Sequence, residues 1–540
     1  MSENMAVANS PWHLRWRAVP TVALLLMVIT WLFLWVSPPE RFDRGMRNLF
    51  GVLAALSAVG VIAIWFFGFS GISRRTRGIT AILLVLLASG VVASVRDVEF
   101  SGDMDPTFDF RWQPTRESKL EGYLTSEAPA PLMVAGNQSG EPSVASADDS
   151  PAYRGANTDG IVVGPALARD WTDQPPRCLW RHPCGGGYAS FAVIGDSAVT
   201  LEQRGPDEVV VCYDIATGRH RWTYAYSALF SEKMGGDGPR ATPAIHDGFV
   251  YSLGAAGDLV KLDFVTGKLQ WRANILSENG SGNLEWGMSG SPLVYDGQVI
   301  VNPGTQQGTE ASAAVLGLAT ADGKVVMRGG DARSSYSSPM LVTLLGLPQL
   351  VIFDAAGLAG FDAEYGNKLW SVPWTSDFDI NAAQPVVLDD RHIVISSQAG
   401  CALIEFCRAE GNWTATQVWR NRLMKCSYAN PISHAGYLYG LDEGILSCLD
   451  LQSGKRLWKD RAAQYGHGQL LLAGDLLIVL SEKGELALVE ATHEAFHELG
   501  RIQALEGKTW NNPVLVRGRA LVRNHLEMAC YELPLAEPAK

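Results

Sequence analysis

At 540 residues, 47% hydrophobic and 19% charged, the chain is too apolar to be disordered and long enough for one large domain with additions. A net charge of −12, with no Lys/Arg block in the C-terminal two thirds, excludes the electrostatic footprint of a nucleic-acid binder.

Three uncharged runs, 18–36, 49–69 and 78–95, each have about the length that spans a bilayer core and predict three transmembrane helices in a membrane anchor over 1–96. The first run is too long for the apolar part of a signal peptide, and no A-x-A site follows it. Trp12, Trp16, Trp31 and Trp35 suit interfacial positions. With the N-terminus inside, Arg15, Arg17, Arg74, Arg75 and Arg77 fall on the cytoplasmic side and Arg41, Arg44, Arg47 and Arg96 outside, a five-to-four bias toward that orientation. Residues 97–150, rich in Pro, Ser, Gly and Glu, read as a flexible tether, followed by a lead-in segment over 151–176.

From 177 to 533 a twelve-residue unit recurs: VCYDIATGRHRW (211–222), VKLDFVTGKLQW (260–271), LGLATADGKVVM (316–327), AGFDAEYGNKLW (359–370) and SCLDLQSGKRLW (447–458). Its glycines, Gly218, Gly267, Gly323, Gly366 and Gly454, are spaced 49, 56, 43 and 88 apart, and 88 is twice 44, so one copy is degenerate. Glu405 fills the gap, and Glu490 and Glu532 continue the spacing, giving eight units at Asp214, Asp263, Ala319, Asp362, Glu405, Asp450, Glu490 and Glu532. Alternating apolar residues before the Asp make a strand, the Asp or Thr side chain bonds turn backbone, and the Gly supplies a positive φ. About twenty residues earlier a Pro follows a small or polar residue, at Pro243, Pro292, Pro339, Pro385, Pro431 and Pro513, and turn pairs such as Asp247-Gly248 divide two further strands. Four strands per unit at this period predict an all-β fold, an eight-bladed β-propeller of four-stranded blades, with 534–540 as a tail. Residues 178–182, CLWRH, precede the first full unit and are expected to complete the eighth blade.

The pattern LD-x-x-[TS]-G-K-x-x-W, with Trp222, Trp271, Trp370 and Trp458, resembles the tryptophan-docking repeat of pyrroloquinoline quinone (PQQ) type eight-bladed propellers. Tyr153-Arg154-Gly155 with Asn157, Asp159 and Gly160 is similar to a lead-in found in a bacterial subgroup. That family holds both quinoprotein dehydrogenases and non-catalytic scaffolds such as the outer-membrane assembly factor BamB. Since relatives of this kind are usually exported, the resemblance implies a propeller in the periplasm, held by a multi-pass anchor in the cytoplasmic membrane.

An exported domain with eight cysteines raises the question of disulfides. Cys212, Cys448 and Cys530 each lie two residues before an Asp position, where a small side chain packs between sheets, whereas Cys178 with Cys184 and Cys401 with Cys407 are left open as pairs. His493-Glu494-x-x-His497 matches a zinc-protease motif, but that motif works on a helix, and Glu490 puts it on a hairpin.

Segments linking each outer strand to the next inner strand all emerge on one face, bringing Arg240, Trp286, Tyr336, Asp379, Asn381, Asn430, His467, Trp510 and Asn511 toward a common rim. Trp286, Trp510, Arg240 and Asn381 are candidate cofactor-binding residues there, against the plainer role of bonding blade to blade. In quinoprotein alcohol dehydrogenases the resemblance implies adjacent cysteines over the cofactor, calcium on Glu, Asn and Asp, and often a haem tag. No two cysteines here are adjacent and no C-x-x-C-H occurs. The expectation is therefore a scaffold with no catalytic residue, no metal and no cofactor, binding cell-envelope proteins through a propeller face or strand edges. The alternative is a PQQ- and calcium-dependent dehydrogenase feeding membrane quinone, with Trp286 or Trp510 as aromatic floor and Asp379 with Asn381 on calcium.

Overall fold

The computed structural model describes residues 18–36, 44–126, 145–306 and 312–537, in two compact units, Met1–Pro114 and Thr115–Lys540. In the first unit, α1 (Val19–Val36), α2 (Arg44–Ile64, continuing through a π turn at Trp65–Phe69) and α3 (Arg74–Ser94) are long and apolar enough to cross a membrane. Trp12, Trp16, Arg15, Arg17 and Arg41 lie outside the described residues. The second and third helices start four to five residues earlier than the apolar runs, taking in Arg44, Arg47, Arg74, Arg75 and Arg77. An aliphatic arginine stem extends a helix into the interface without burying its charge. Helices α1 and α2 pack together with small Ala23 and Ala58 buried, as close approach in an apolar medium requires.

The tether expectation for 97–150 is corrected over its first part. Val95–Phe100 and Pro106–Phe110 form an antiparallel hairpin, and Arg116–Ser126 is helix α4. The hairpin turn is tied down, with Asn48 Nδ2 donating to the Asp103 carbonyl (2.7 Å) and Arg44 pairing with the Asp103 carboxylate (3.3 Å). Strands of five and six residues with charges interleaved carry too short a period-two signal to stand out from acidic linker composition.

The second unit is the eight-bladed propeller: blades 1 to 7 span 192–227, 244–274, 293–329, 340–373, 386–421, 432–464 and 469–503. Blade 8 takes three strands from 514–532 and its outer strand, Arg177–Pro183, from the other end of the domain, paired antiparallel with Glu527–Glu532. Ile161–Val162 adds a fifth strand to blade 7, so the lead-in is part of the propeller. The seam between blades 8 and 1 is closed by fully buried Arg523. Its guanidinium donates to Thr200 Oγ1 (2.6 Å) and to the carbonyls of Ala189, Leu201 and Gly185.

The repeat signature docks each blade on the next. Asp214, Asp263 and Asp450 accept from the N–H and hydroxyl of Thr217, Thr266 and Ser453 at the turn. The turn glycines are left-handed, Gly218 at φ 71 and Gly267 at φ 70. The indole of the preceding blade covers that glycine. A Cβ on Gly218 would sit 2.7 Å from Trp180, and one on Gly267 would sit 2.6 Å from Trp222. Each indole N–H then donates to a carbonyl just past the Asp position: Trp180 to Ile215, Trp222 to Phe264, Trp271 to Thr320 and Trp419 to Leu451, all within 2.8 to 2.9 Å. Blade 3 uses Met327 against Gly366 instead. Blade 5 has no such turn, because its outer hairpin is lengthened to Gly400–Ala409 and Asn412–Asn421. Trp370 therefore packs on Phe406 (4.4 Å) and bonds Gln349 within its own blade.

All eight cysteines are free. Cys212, Cys448 and Cys530 are buried between sheets, as expected. Cys178 is the second residue of the outer strand of blade 8 and Cys184 follows its end, while Cys401 and Cys407 share one extended strand. Six residues of strand span about 20 Å, far beyond the ~7 Å Cα separation a disulfide bridges.

Candidate binding site at the channel mouth

The residue before each regularly spaced proline belongs to a ring that holds the inner strands together. Backbone N–H groups donate to the equivalent side chain one blade on: Ser190 to Thr242, Thr242 to Ser291, Ser291 to Ser338, Ser338 to Gln384, and Gln384 to Asn430, at 2.8 to 3.0 Å. Asn430 Nδ2 donates to Gln469 (3.0 Å), and Ser190 Oγ donates to the Asn512 carbonyl to join the ends. This ring explains the small or polar residue that precedes the prolines.

Two residues before each ring position the chain reaches the mouth, with Tyr188, Arg240, Ser289, Tyr336, Ala382, Tyr428, His467 and Trp510 in equivalent places. Their rings associate. Trp510 lies 5.3 Å from Tyr188 and 5.6 Å from Tyr428, nearly parallel to the latter, and Tyr428 meets His467 edge-on at 5.0 Å. Trp286 leans on Tyr336 at 5.8 Å. Two cations lie over these faces, Arg240 above Phe230 (4.7 Å) and Tyr188 (5.8 Å), and Lys508 above Trp510 (4.6 Å). Arg240 donates to the carbonyls of Gly238 and Gly236, and Trp510 Nε1 to Glu482 (2.8 Å). Burial pulls the Arg240 pKa below its usual value and pushes the Tyr336 hydroxyl up to about 12.

Of the residues singled out in the sequence, Arg240, Trp286, Tyr336, His467 and Trp510 come to this mouth. The others hold blades together. Asn381 is fully buried, its amide nitrogen donating to the Asp354 carbonyl (2.8 Å) and its backbone N–H to Ser335 Oγ (2.7 Å). Asn511 is also buried, donating to the Ala189 carbonyl. Asp379 is ion-paired with Arg333 on a loop whose neighbour Phe378 is 81% exposed. Asn381 Oδ1 is buried and accepts no hydrogen bond among the described residues, but with the Asp379 carboxylate held by Arg333 the pair offers one uncommitted amide oxygen where calcium takes several convergent ones. No group of three or more His, Cys, Asp or Glu able to hold a metal occurs among the described residues. The two histidines of the zinc-like motif go separate ways on a hairpin loop, His493 stacking on Tyr437 (4.4 Å) and His497 bonding Glu490 (2.6 Å). Tyr188, Tyr428 and Phe230 also lie at the mouth. For the two tyrosines the signal available was their fixed offset from the ring position.

At the opposite end the lead-in lies across the channel. Ser150 bridges to Val193, the Pro151 carbonyl accepts from Ile245 N–H (2.8 Å), and the Gly160 carbonyl accepts from Leu472 N–H (2.9 Å). Tyr153 sends its hydroxyl to the ring, accepting from Asn430 Nδ2 (3.0 Å) and Asn512 Nδ2 (3.2 Å).

Residues 206–460 match a family model described as outer membrane protein assembly factor BamB. The propeller resembles the PQQ-like repeat family. Among solved structures, the quinohemoprotein alcohol dehydrogenase ADHIIG of Pseudomonas putida HK5 is 14% identical with a TM-score of 0.53, the match covering 73% of this chain and 82% of that one. The quinohemoprotein alcohol dehydrogenase of Comamonas testosteroni is 13% identical with a TM-score of 0.53, covering 79% and 86%. BamB from Moraxella catarrhalis is 16% identical with a TM-score of 0.49, covering 66% of this chain and all of that one. No curated protein sequence matches the chain significantly. At such identities the two dehydrogenase structures show a shared propeller fold and nothing finer.

Proposed function

We propose that the three apolar helices anchor the chain in the cytoplasmic membrane and that its PQQ-like propeller works in the periplasm as a non-catalytic binding or assembly scaffold for cell-envelope proteins. The observation that carries this reading is how the channel's polar residues are used. Asn381, Asn430 and Asn511 tie blades together and Asp379 is neutralised by Arg333. The mouth is left with half-buried aromatic faces and two cations. Aromatic and arginine side chains of this kind are the residues that anchor protein partners.

On this reading bound PQQ adds nothing to the stability of a domain already closed by eight mutually supporting blades. A ligand that binds only the native state raises stability by RT ln(1 + [L]/Kd), about 2.7 kcal/mol at a hundredfold excess. Purified protein should melt at the same temperature with and without PQQ plus calcium. A rise lost in Trp286→Ala or Trp510→Ala would overturn the scaffold reading in favour of a quinoprotein alcohol dehydrogenase-like oxidoreductase. Pull-down from detergent-solubilised membranes would identify the partners.

A further inference from the structure

The end of the channel opposite the mouth is only partly covered. The lead-in pairs with blades 1, 2 and 7, and against blades 4, 5 and 6 it leaves a cleft of about 240 Å³ walled by Arg154, Asp159, Leu341, Thr343, Val386 and Pro431. Six of the eight inner strands have two or three residues; only Gln469–Ala473 of blade 7 and Met340–Leu344 of blade 4 have five. The chain itself adds Ile161–Val162 in parallel to the first. The second is the edge of its sheet, and Leu341 and Thr343 are exposed along it. Such an edge carries a row of backbone donors and acceptors suited to one more strand.

The second observation is Arg154. It is 6% exposed, its Nη1 and Nη2 donate to the carbonyls of Leu470 (3.3 Å) and Asp159 (2.9 Å), and its Nε has no acceptor among the described residues. A buried guanidinium that lines the cleft and donates to carbonyls is suited to a carboxylate. Arg154 and Thr158 have left-handed backbones (φ 59 and 60), a strained conformation that the surrounding bonds hold in place. A cleft this small admits the end of an extended strand and excludes a helix ~10 Å across.

We propose that this cleft captures the carboxyl-terminal end of an extended peptide from a partner protein. Its backbone adds a strand to Met340–Leu344, as Ile161–Val162 adds one to blade 7, and its terminal carboxylate pairs with the Arg154 guanidinium where it lines the cleft. This site is separate from the mouth, so neither depends on the other. The test is retention of a fluorescein-labelled random hexapeptide library with free carboxyl termini by the full chain in detergent, against the same library amidated. Free-carboxylate peptides should be enriched, and amidating the best binder should weaken it at least tenfold. Arg154→Gln should weaken it comparably. Because Arg154 also ties the lead-in, Leu341→Trp decides the matter: it fills the cleft from an exposed position, so it should abolish binding while leaving the melting temperature unchanged. No enrichment, equal binding of amidated peptides, or full binding by a stably folded Leu341→Trp protein would each overturn the proposal.

Discussion

Replacing Trp180 by alanine tests whether the two ends of the propeller hold each other. Trp180 sits on the outer strand of blade 8, is 8% exposed, donates its indole N–H to the Ile215 carbonyl at 2.8 Å and covers Gly218 of blade 1. Removing a buried Trp side chain costs about 3–5 kcal/mol, of which the hydrogen bond is roughly 1. With an unfolding entropy of about 2.1 cal/mol/K per residue over a domain on the order of 350 residues, ~4 kcal/mol lowers the melting temperature by ~5 °C. Trp222→Ala, with the same geometry between blades 1 and 2, should cost a similar amount. Deleting 177–183 removes the whole strand with its ion pairs Arg177–Glu532 and Arg181–Glu527, and should cost more than Trp180→Ala and far more than deleting exposed rim residues around Leu229. Far-UV circular dichroism melts of the full chain in detergent would measure all four. If Trp180→Ala shifts the midpoint by less than about 1 °C, or the deletion melts like the parent, closure of the ring through this strand is refuted.

If the propeller lies in the periplasm, a periplasm-only reporter fused after Lys540 or near Asn48 will be active and one near Arg75 silent; the reverse pattern puts the propeller in the cytoplasm. Gly267→Ala places a Cβ 2.6 Å from Trp222 at φ 70 and should cost at least ~2 kcal/mol, whereas Gly297→Ala, at φ 71 with open space around it, should cost only the ~1–2 kcal/mol of the left-handed backbone; equal losses would mean the indole does not need the bare glycine. Burial raises the Asp354 carboxyl to about 6 from 3.8, so the folded state binds its proton more tightly than the unfolded state does. Its contribution to stability is present below about pH 4 and is lost as pH rises through about 6, on the order of 3 kcal/mol in all. Asp354→Asn should therefore melt increasingly above the parent between pH 4 and 7, and a pH-independent gap would contradict this.

The blades were legible because the Asp-to-Gly interval is fixed by one turn that every docked blade must make. Where the docking changes, the signal goes too. Trp419 docks on Gly454, yet the lengthened hairpin of blade 5 moves it away from the usual distance after Glu405, and Trp180 precedes the first complete unit. At the mouth, Arg240, Trp286, Tyr336 and Trp510 could be found because the loops bearing them are long. Tyr188 and Tyr428 arrive there through an offset from the inter-blade ring, whose members vary among Ser, Thr, Gln and Asn. Asn381 shows the reverse limit, since a polar residue in a rim loop reads the same whether it faces solvent or a buried carbonyl.

The pairing of Arg177 with Glu532, 355 residues later, also sets a schedule for synthesis. At ~5–20 residues per second, roughly 20–70 s separate the emergence of the first partner from that of the second. Throughout that interval the strand carrying Trp180 has no sheet to join, while seven blades accumulate as an open arc. A nascent chain interrupted before its last repeat therefore cannot reach a sealed state at all, leaving both a stranded N-terminal segment and a bare edge as marks by which quality-control proteases can tell an unfinished molecule from a finished one.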